Sequence, residues 1–190
     1  MKKLIVLIAV IIFSAPAMFG QTFNGIKIDG SLTDFVAKMK AKGYEYLRSI
    51  DGNTVVMSGM LNSDQVEFWI SGTPKTKKVW KLSIYFSKVD TWYTIKSDYD
   101  KSKQMLTSKY GEPNKEYEFF SNPYYDGDGY EMTAVRVEKA TFASYWINEG
   151  EGYNLGVTIT KFCQIRISYE NSKNYALLDQ ERNQINNATF

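Results

Sequence analysis

Two similar stretches decide the fold: Trp80-Lys81-Leu82-Ser83-Ile84-Tyr85 and Cys163-Gln164-Ile165-Arg166-Ile167-Ser168-Tyr169. In each, apolar and polar residues alternate, as in a β-strand with one buried face. Each stretch also ends a similar series, a helix followed by about four strands. We therefore predict an α+β fold in two layers, with helices on one face of a mostly antiparallel sheet and two similar helix-plus-four-strand halves. The similarity of the halves suggests an ancient internal duplication. This is a hypothesis, because an unrelated α+β protein built of meanders would have a similar order of helices and strands.

The first half, about residues 23–88, begins with a helix. Ser31 is its predicted N-cap, Asp34 completes a capping box, and the helix ends at Gly43. Turn residues separate the four strand-like runs that follow. These runs are Tyr44 to Ser49, Thr54 to Met60, Gln65 to Ser71 and Val79 to Phe86.

The second half, about residues 89–171, repeats the order. Asp90 is the predicted cap of a longer helix that ends at Gly111, before Pro113. The predicted strands are Lys115 to Phe120, Thr133 to Asn148 (one bent strand or two), Tyr153 to Lys161 and Cys163 to Glu170. A final helix is predicted over residues 173–186, and we predict that residues 21–190 form a single domain made of the two halves and this helix.

The first twenty residues have the pattern of a signal peptide. A basic start, Met1-Lys2-Lys3, precedes an apolar run from Leu4 to Phe13 and small residues around Ala17. The run is too short to span a bilayer. We expect cleavage after Ala17 or before Gln21, and a periplasmic or secreted protein with no membrane span.

Charge and composition exclude several functions. Removal of residues 1–20 leaves 21 basic and 21 acidic residues, which argues against nucleic-acid binding. The chain has no histidine, so Ser-His-Asp catalysis, Cys-His catalysis and histidine-ligated zinc are excluded. Its one cysteine, Cys163, cannot form an internal disulfide, and the alternation places it in the core as a structural residue.

Two short stretches carry a resemblance. Phe23-Asn24-Gly25-Ile26-Lys27-Ile28-Asp29-Gly30, with the helix ending Lys40-Ala41-Lys42-Gly43-Tyr44, resembles uncharacterised exported proteins of Bacteroides-type bacteria. Lys109-Tyr110-Gly111-Glu112-Pro113 looks like the helix-to-sheet junction of β-lactamase-inhibitor-protein-like folds. The resemblance implies helices on one sheet face and a protein partner on the other. It implies no catalytic residue.

One acidic loop could bind calcium. In Asp126-Gly127-Asp128-Gly129-Tyr130-Glu131 the carboxylates are clustered, but an EF-hand register puts Tyr124 and Val135 where Asp and Glu are required. We favour a plain hairpin loop, with no metal and no cofactor. A weaker calcium site formed by Asp126, Asp128 and Glu131 is the alternative.

Two surfaces are candidates for binding. The loop from Ser121 to Glu131 is rich in tyrosine, with Tyr124, Tyr125 and Tyr130 as candidate contacts. Strand alternation also predicts a mixed polar and aromatic sheet face opposite the helices. Its predicted members are Glu67, Trp69, Lys81, Tyr85, Thr158, Thr160, Gln164 and Arg166.

These observations predict a non-catalytic binding module that recognises a protein partner. On the sheet face, the candidate anchors are Trp69, Tyr85 and Arg166. A carbohydrate-binding module is the alternative, because Trp and Tyr also form sugar platforms. A hydrolase that works without histidine is a third, weaker interpretation. The sequence leaves the oligomeric state open.

Overall fold

The computed structural model describes residues 21–188. The predicted signal peptide lies outside the described residues. The helices are α1 (Leu32–Ala41), α2 (Trp92–Tyr110), α3 (Glu131–Arg136) and α4 (Ser172–Asn187). The strands are β1 (Thr22–Phe23), β2 (Ile26–Lys27), β3 (Glu45–Ile50), β4 (Thr54–Leu61), β5 (Asp64–Gly72), β6 (Val79–Tyr85), β7 (Lys115–Phe120), β8 (Ala140–Asn148), β9 (Tyr153–Ile159) and β10 (Ile165–Asn171). No helix within this range is both long and apolar enough to cross a membrane.

Eight strands form one sheet in the order β3-β4-β5-β6-β10-β9-β8-β7, and every neighbouring pair is antiparallel. The two decisive stretches, β6 and β10, pair at the centre, with Ile84 opposite Ile167. The strands of the first half lie on one side of this pair and those of the second half on the other. β1 and β2 form a separate two-stranded sheet. The predicted α+β fold of two helix-plus-four-strand halves is confirmed.

The core lies between the sheet and the helices. Alternate strand residues such as Phe68, Leu82 and Ile167 are almost fully buried in it. Phe35 of α1 and Ile95 of α2 face them and are equally buried. A side chain of this size contributes roughly 1.5–3 kcal/mol when fully buried, so this apolar face fixes the position of the helices.

The N-terminal cap of α1 forms as the sequence predicts. The Ser31 hydroxyl accepts a hydrogen bond from the Asp34 amide at 3.1 Å. For α2, the prediction of Asp90 as the cap is wrong by one residue. The cap is Thr91, whose hydroxyl accepts from the Thr94 amide at 3.3 Å. Both arrangements satisfy an amide that the first turn of a helix leaves free.

The structure corrects two predicted strands. Residues 131–136 form α3, so the predicted strand from Thr133 begins only at Ala140. The alternation of Val135 and Val137 suggests a strand. However, the neighbouring residues Ala134 and Val135 are both buried, which a helix allows and a strand with one buried face does not. The predicted strand from Cys163 begins at Ile165, because Cys163 lies in a turn with φ of 56°. Its side chain is buried.

Helix α4 crosses the end of the sheet where β10 ends and the β5–β6 turn begins. Asn174 donates hydrogen bonds to Asp29 Oδ1 at 2.9 Å and to the Val79 carbonyl oxygen at 2.7 Å. Glu181, about two turns further along the same face of the helix, accepts hydrogen bonds from the 73–76 turn. These buried polar contacts, together with Leu178, attach the helix.

Candidate functional site

The open face is the face of the eight-stranded sheet opposite the helix-covered core. Directly paired residues on neighbouring strands share a face, so the register identifies its members. Its central members, taken strand by strand, are Arg48, Val56, Glu67, Trp69, Ser83, Tyr85, Arg166, Ser168, Gly156, Thr158, Ala143, Tyr145 and Tyr117. Within residues 21–188 the helices pack on the other side of the sheet.

One cluster of the open face is satisfied by its own contacts. Glu67 Oε2 accepts a hydrogen bond from Trp69 Nε1 at 2.9 Å and lies 3.5 Å from Arg48 Nη2. The Arg48 guanidinium also lies over the Trp69 ring, 5.6 Å from its centre. The Tyr85 ring packs against Trp69 with 5.5 Å between centroids. Together these contacts cover Val56, which is fully buried although it faces away from the core.

Next to this cluster, across β10, lies a groove of about 380 Å³. Its lining includes Tyr85, Arg166, Thr158, Ala143 and Tyr145. Thr158 is directly opposite both Arg166 on β10 and Ala143 on β8. The small side chain of Ala143 thus lies between larger neighbours, and this difference in size contributes to the depression in the sheet surface.

Tyr145 owes its position to a glycine. A Cβ atom placed on Gly156 would lie 2.8 Å from Tyr145 Cδ1, closer than real Cβ atoms come to other heavy atoms. Gly156 is the direct partner of Tyr145 in the β8–β9 pair. The ring therefore lies against the bare backbone of the neighbouring strand, and the glycine allows this side of the groove to form.

The far end of the groove is formed by a turn and a segment after α3. Lys161 Nζ is 3.2 Å from Glu138 Oε2, and both residues line the groove. The exposed ring of Phe162 lies beneath two ammonium groups, those of Lys161 and Lys88, each 5.9 Å from the ring centre. At this end of the groove, the charge of Lys161 is therefore balanced by that of Glu138.

The charge of Arg166 is not balanced in this way. Among residues 21–188, no carboxylate forms an ion pair with its guanidinium, and its buried Nε has no hydrogen-bond acceptor. The buried hydroxyl oxygens of Thr158 and Thr160 likewise have no partner among the described residues. All three residues line the groove.

The aromatic loop between β7 and α3 is a separate surface. Tyr125 and Tyr130 are about two-thirds exposed, whereas Tyr124 is half-buried. The Asp128 carboxylate accepts hydrogen bonds from the Tyr125 amide at 3.0 Å and from the Tyr130 amide at 2.6 Å. Glu131 Oε1 accepts one from the Gly127 amide at 2.9 Å. Two of the three carboxylates considered for calcium therefore hold the backbone of their own loop.

The structure brings three of the predicted site residues together. Trp69, Tyr85 and Arg166 occupy three neighbouring strands, and Arg166 is directly opposite Tyr85. Within residues 21–188, no hydrogen bond, ion pair or ring contact joins the loop residues Tyr124 or Tyr130 to them.

Sequence reasoning missed several members of the open face, and two of them, Arg48 and Tyr145, shape its clusters. Arg48 follows a bulge between Tyr46 and Arg48 that shifts the register, so simple alternation does not settle its face. Tyr145 was missed because aromatic residues occur on both faces of β8, where Phe142 and Trp146 face the core. The sequence feature that could have identified Tyr145 is Gly156. A glycine within a strand often marks a place where a neighbouring side chain approaches the backbone closely.

Comparison with known proteins finds no family model, no curated protein and no solved structure that matches this chain.

Proposed function

We propose that the protein is a non-catalytic exported binding module that holds a protein partner on its open face. The observation that carries the proposal is the contiguous placement of Trp69, Tyr85 and Arg166 on a sheet face that the described helices leave uncovered. Trp, Tyr and Arg are the residue types that dominate binding energy in protein interfaces. The export component rests on the signal-peptide pattern of residues 1–20.

A protein partner is favoured over a carbohydrate by the surroundings of Trp69. A sugar platform needs a flat aromatic ring with a free face. Here the Arg48 guanidinium lies over the Trp69 ring, and Tyr85 meets that ring at 59° and not as a coplanar neighbour. A mixed surface of partly covered rings and fixed charges resembles the polar and aromatic anatomy of protein interfaces.

The groove chemistry supports binding over catalysis. Glu138 is the carboxylate that lines it, and this group is paired with Lys161 at 3.2 Å. Glycoside hydrolysis by carboxylates needs two such groups at a defined separation, which the described lining does not supply. Cys163, the only thiol, is buried in the adjacent turn.

The proposal is tested with a matched pair of variants. Tyr85→Ala removes a half-buried ring from the open face, and Tyr93→Ala removes an 85% exposed ring from α2, on the helix side. We expect Tyr85→Ala to lower the free energy of unfolding by about 1 kcal/mol, since the ring is only partly buried. An interface anchor of this type contributes roughly 2 kcal/mol or more, which is about thirtyfold in affinity.

The measurement is affinity capture from periplasmic extract of the source organism, quantified by mass spectrometry against each variant. Proteins retained by wild type and by Tyr93→Ala, but lost with Tyr85→Ala and Trp69→Ala, support the open face. If both open-face variants fold and retain the same proteins as wild type, the site is elsewhere. The tyrosines of the 121–131 loop are then the next surface to test.

A further inference from the structure

The groove of the open face contains one basic side chain with no acidic partner. Three other basic residues near it are paired: Lys81 with Glu170 at 2.7 Å, Lys161 with Glu138 at 3.2 Å, and Arg48 with Glu67 at 3.5 Å. Arg166 lies between these pairs, and no described residue neutralises it. A guanidinium is a planar cation that offers five N–H donors and no acceptor.

Three residues of the groove lining carry a buried hydrogen-bond donor that has no partner among the described residues. Four buried side-chain atoms of residues 21–188 have no hydrogen-bond partner, and three of them are Arg166 Nε, Thr158 Oγ1 and Thr160 Oγ1. The residues that carry these three atoms all line the groove. An unsatisfied buried polar group destabilises the native state, so three together need an explanation. Each of these atoms can donate a hydrogen bond, and an anionic acceptor would satisfy all of them.

The register fixes the arrangement of these donors. Thr158 is the direct partner of Arg166 across the β9–β10 pair, which places their Cβ atoms about 5 Å apart on one face. Thr160 lies two residues further along, and its amide donates to the Gln164 carbonyl oxygen at 2.9 Å, which closes the strand pair. A planar guanidinium beside rotatable hydroxyls matches a carboxylate, which can accept two hydrogen bonds side by side.

We infer that Arg166, Thr158 and Thr160 form a carboxylate site, which receives the side chain of an aspartate or glutamate of the protein partner. The inference rests on the proposed function of the open face. A monoanion is favoured over phosphate because one of the two cations that line the groove is unpaired, and the other, Lys161, is already held by Glu138. The Lys88 ammonium lies over the Phe162 ring at the far end and is not part of the lining. The Tyr85 and Tyr145 rings that line the groove reduce its contact with water, which strengthens a charged hydrogen bond.

The site can be probed without knowing the partner. N-acetyl-L-glutamate α-amide carries one side-chain carboxylate, and N-acetyl-L-glutamine α-amide is its neutral, equally shaped control. In ¹⁵N NMR, the Arg166 Nε–H resonance reports directly on the site, and its burial slows exchange with water. We expect a saturable shift with the glutamate compound, with a Kd on the order of millimolar, and none with the glutamine compound.

Three results of this titration would overturn the inference. The first is an Arg166 resonance that does not move with the glutamate compound. The second is an equal shift with the neutral control, which would show that charge is not recognised. The third is tighter binding of inorganic phosphate than of the glutamate compound, which would assign the groove to a phosphate.

Substitutions separate binding from a purely structural role. Arg166→Gln should weaken binding of the glutamate compound roughly tenfold or more, and Arg166→Lys should weaken it less, because the charge stays but the planar fork is lost. Thr158→Val should also weaken binding without lowering the urea midpoint, because the hydroxyl it removes has no described partner. A Thr158→Val protein that is less stable but binds normally would show that the hydroxyl only supports the fold.

The two proposals fail in different ways. A protein that loses its captured partner on Tyr85→Ala but shows no Arg166 shift retains the docking face and refutes the carboxylate site. A protein that keeps its partner in the Tyr85→Ala variant refutes the docking face. A protein that binds the glutamate compound but keeps its partner in the Arg166→Gln variant has an anion site that this partner does not use, which refutes the inferred role of the site.

Discussion

Replacing Glu181 by glutamine should release α4 from the end of the sheet. The Glu181 side chain is 3% exposed and carries the hydrogen bonds that connect the helix to the β5–β6 turn. The Lys75 amide donates to Oε2 at 2.6 Å, and the Thr73 hydroxyl donates to Oε1 at 3.3 Å. The Thr76 amide and hydroxyl donate to the same carboxylate. Glu181→Gln preserves the volume and removes only the charge and one acceptor.

The magnitude follows from the donors that lose an acceptor. Glutamine keeps one oxygen, but its amide nitrogen then faces a backbone N–H of Lys75 or Thr76, so two donors oppose each other. A hydrogen bond to a charged group contributes about 1.5–3 kcal/mol, and a buried donor left without an acceptor costs about 1–3 kcal/mol. We therefore expect Glu181→Gln to lower the free energy of unfolding by about 2–4 kcal/mol at pH 7.

The same contact should depend on pH. Burial alone would raise the pKa of Glu181, but hydrogen bonds from Thr76, Lys75 and Thr73 outweigh it and hold the pKa below its usual value of 4.5. A carboxyl with a lowered folded-state pKa stabilises the fold above its unfolded pKa, and this stabilisation is lost as the pH falls through the folded value. The difference between wild type and Glu181→Gln should therefore be largest near pH 7 and shrink below about pH 4.5.

The assay is urea unfolding followed by circular dichroism between pH 3 and pH 7. Glu149→Gln is the matched control, because Glu149 is exposed and the same chemical change there should move stability by less than about 0.5 kcal/mol. A Glu181→Gln protein as stable as Glu149→Gln at pH 7 would refute the reasoning. A destabilisation that does not shrink at low pH would show that packing, and not the carboxylate, attaches the helix.

Two further substitutions test the packing on each sheet face. Tyr99→Phe should lower the free energy of unfolding by about 1–2 kcal/mol, because the Tyr99 hydroxyl lies 2.7 Å from the buried Ser144 hydroxyl and its removal leaves that group unpaired. Unchanged urea midpoints would contradict this contact. Gly156→Ala should cost about 1–3 kcal/mol and move the Tyr145 ring, because the new methyl would lie 2.8 Å from it, whereas Gly150→Ala has its nearest neighbour at 3.7 Å. Equal thermal stability of the two alanine variants, together with unshifted Tyr145 NMR signals, would show that the ring does not depend on this glycine.

Local patterns were sufficient to predict the elements on which the fold depends. The alternation in β6 and β10 identifies both strands because each has one face in the core, and burial of one face requires a period of two. The Ser31 cap is equally local, since its contact with Asp34 spans one turn. The helix α3 was not predicted, because a six-residue helix offers too few positions for its period to differ from that of a strand.

The site was less predictable because it depends on lateral neighbours. Alternation gives the face of Arg166 but does not say which strand lies beside β10, and its neighbour β6 comes from the other half of the chain. The pairing of Arg48 with Glu67 also depends on a bulge that sequence does not reveal. Whether an arginine on the open face is balanced could therefore be known only from the structure.

The contrast between Arg48 and Arg166 indicates that two parts of the open face have different roles in binding. Both project from the sheet onto the same face, but Arg48 is held by Glu67 and covers Trp69, whereas Arg166 has no acidic partner among the described residues. A charge satisfied within the protein contributes shape and covered area but little selectivity. A charge left unpaired beside unpaired hydroxyls favours ligands that bring the complementary group, since ligands without it leave those donors unsatisfied. On this argument the Trp69 cluster supplies contact area, and the Arg166 groove determines which partner is accepted.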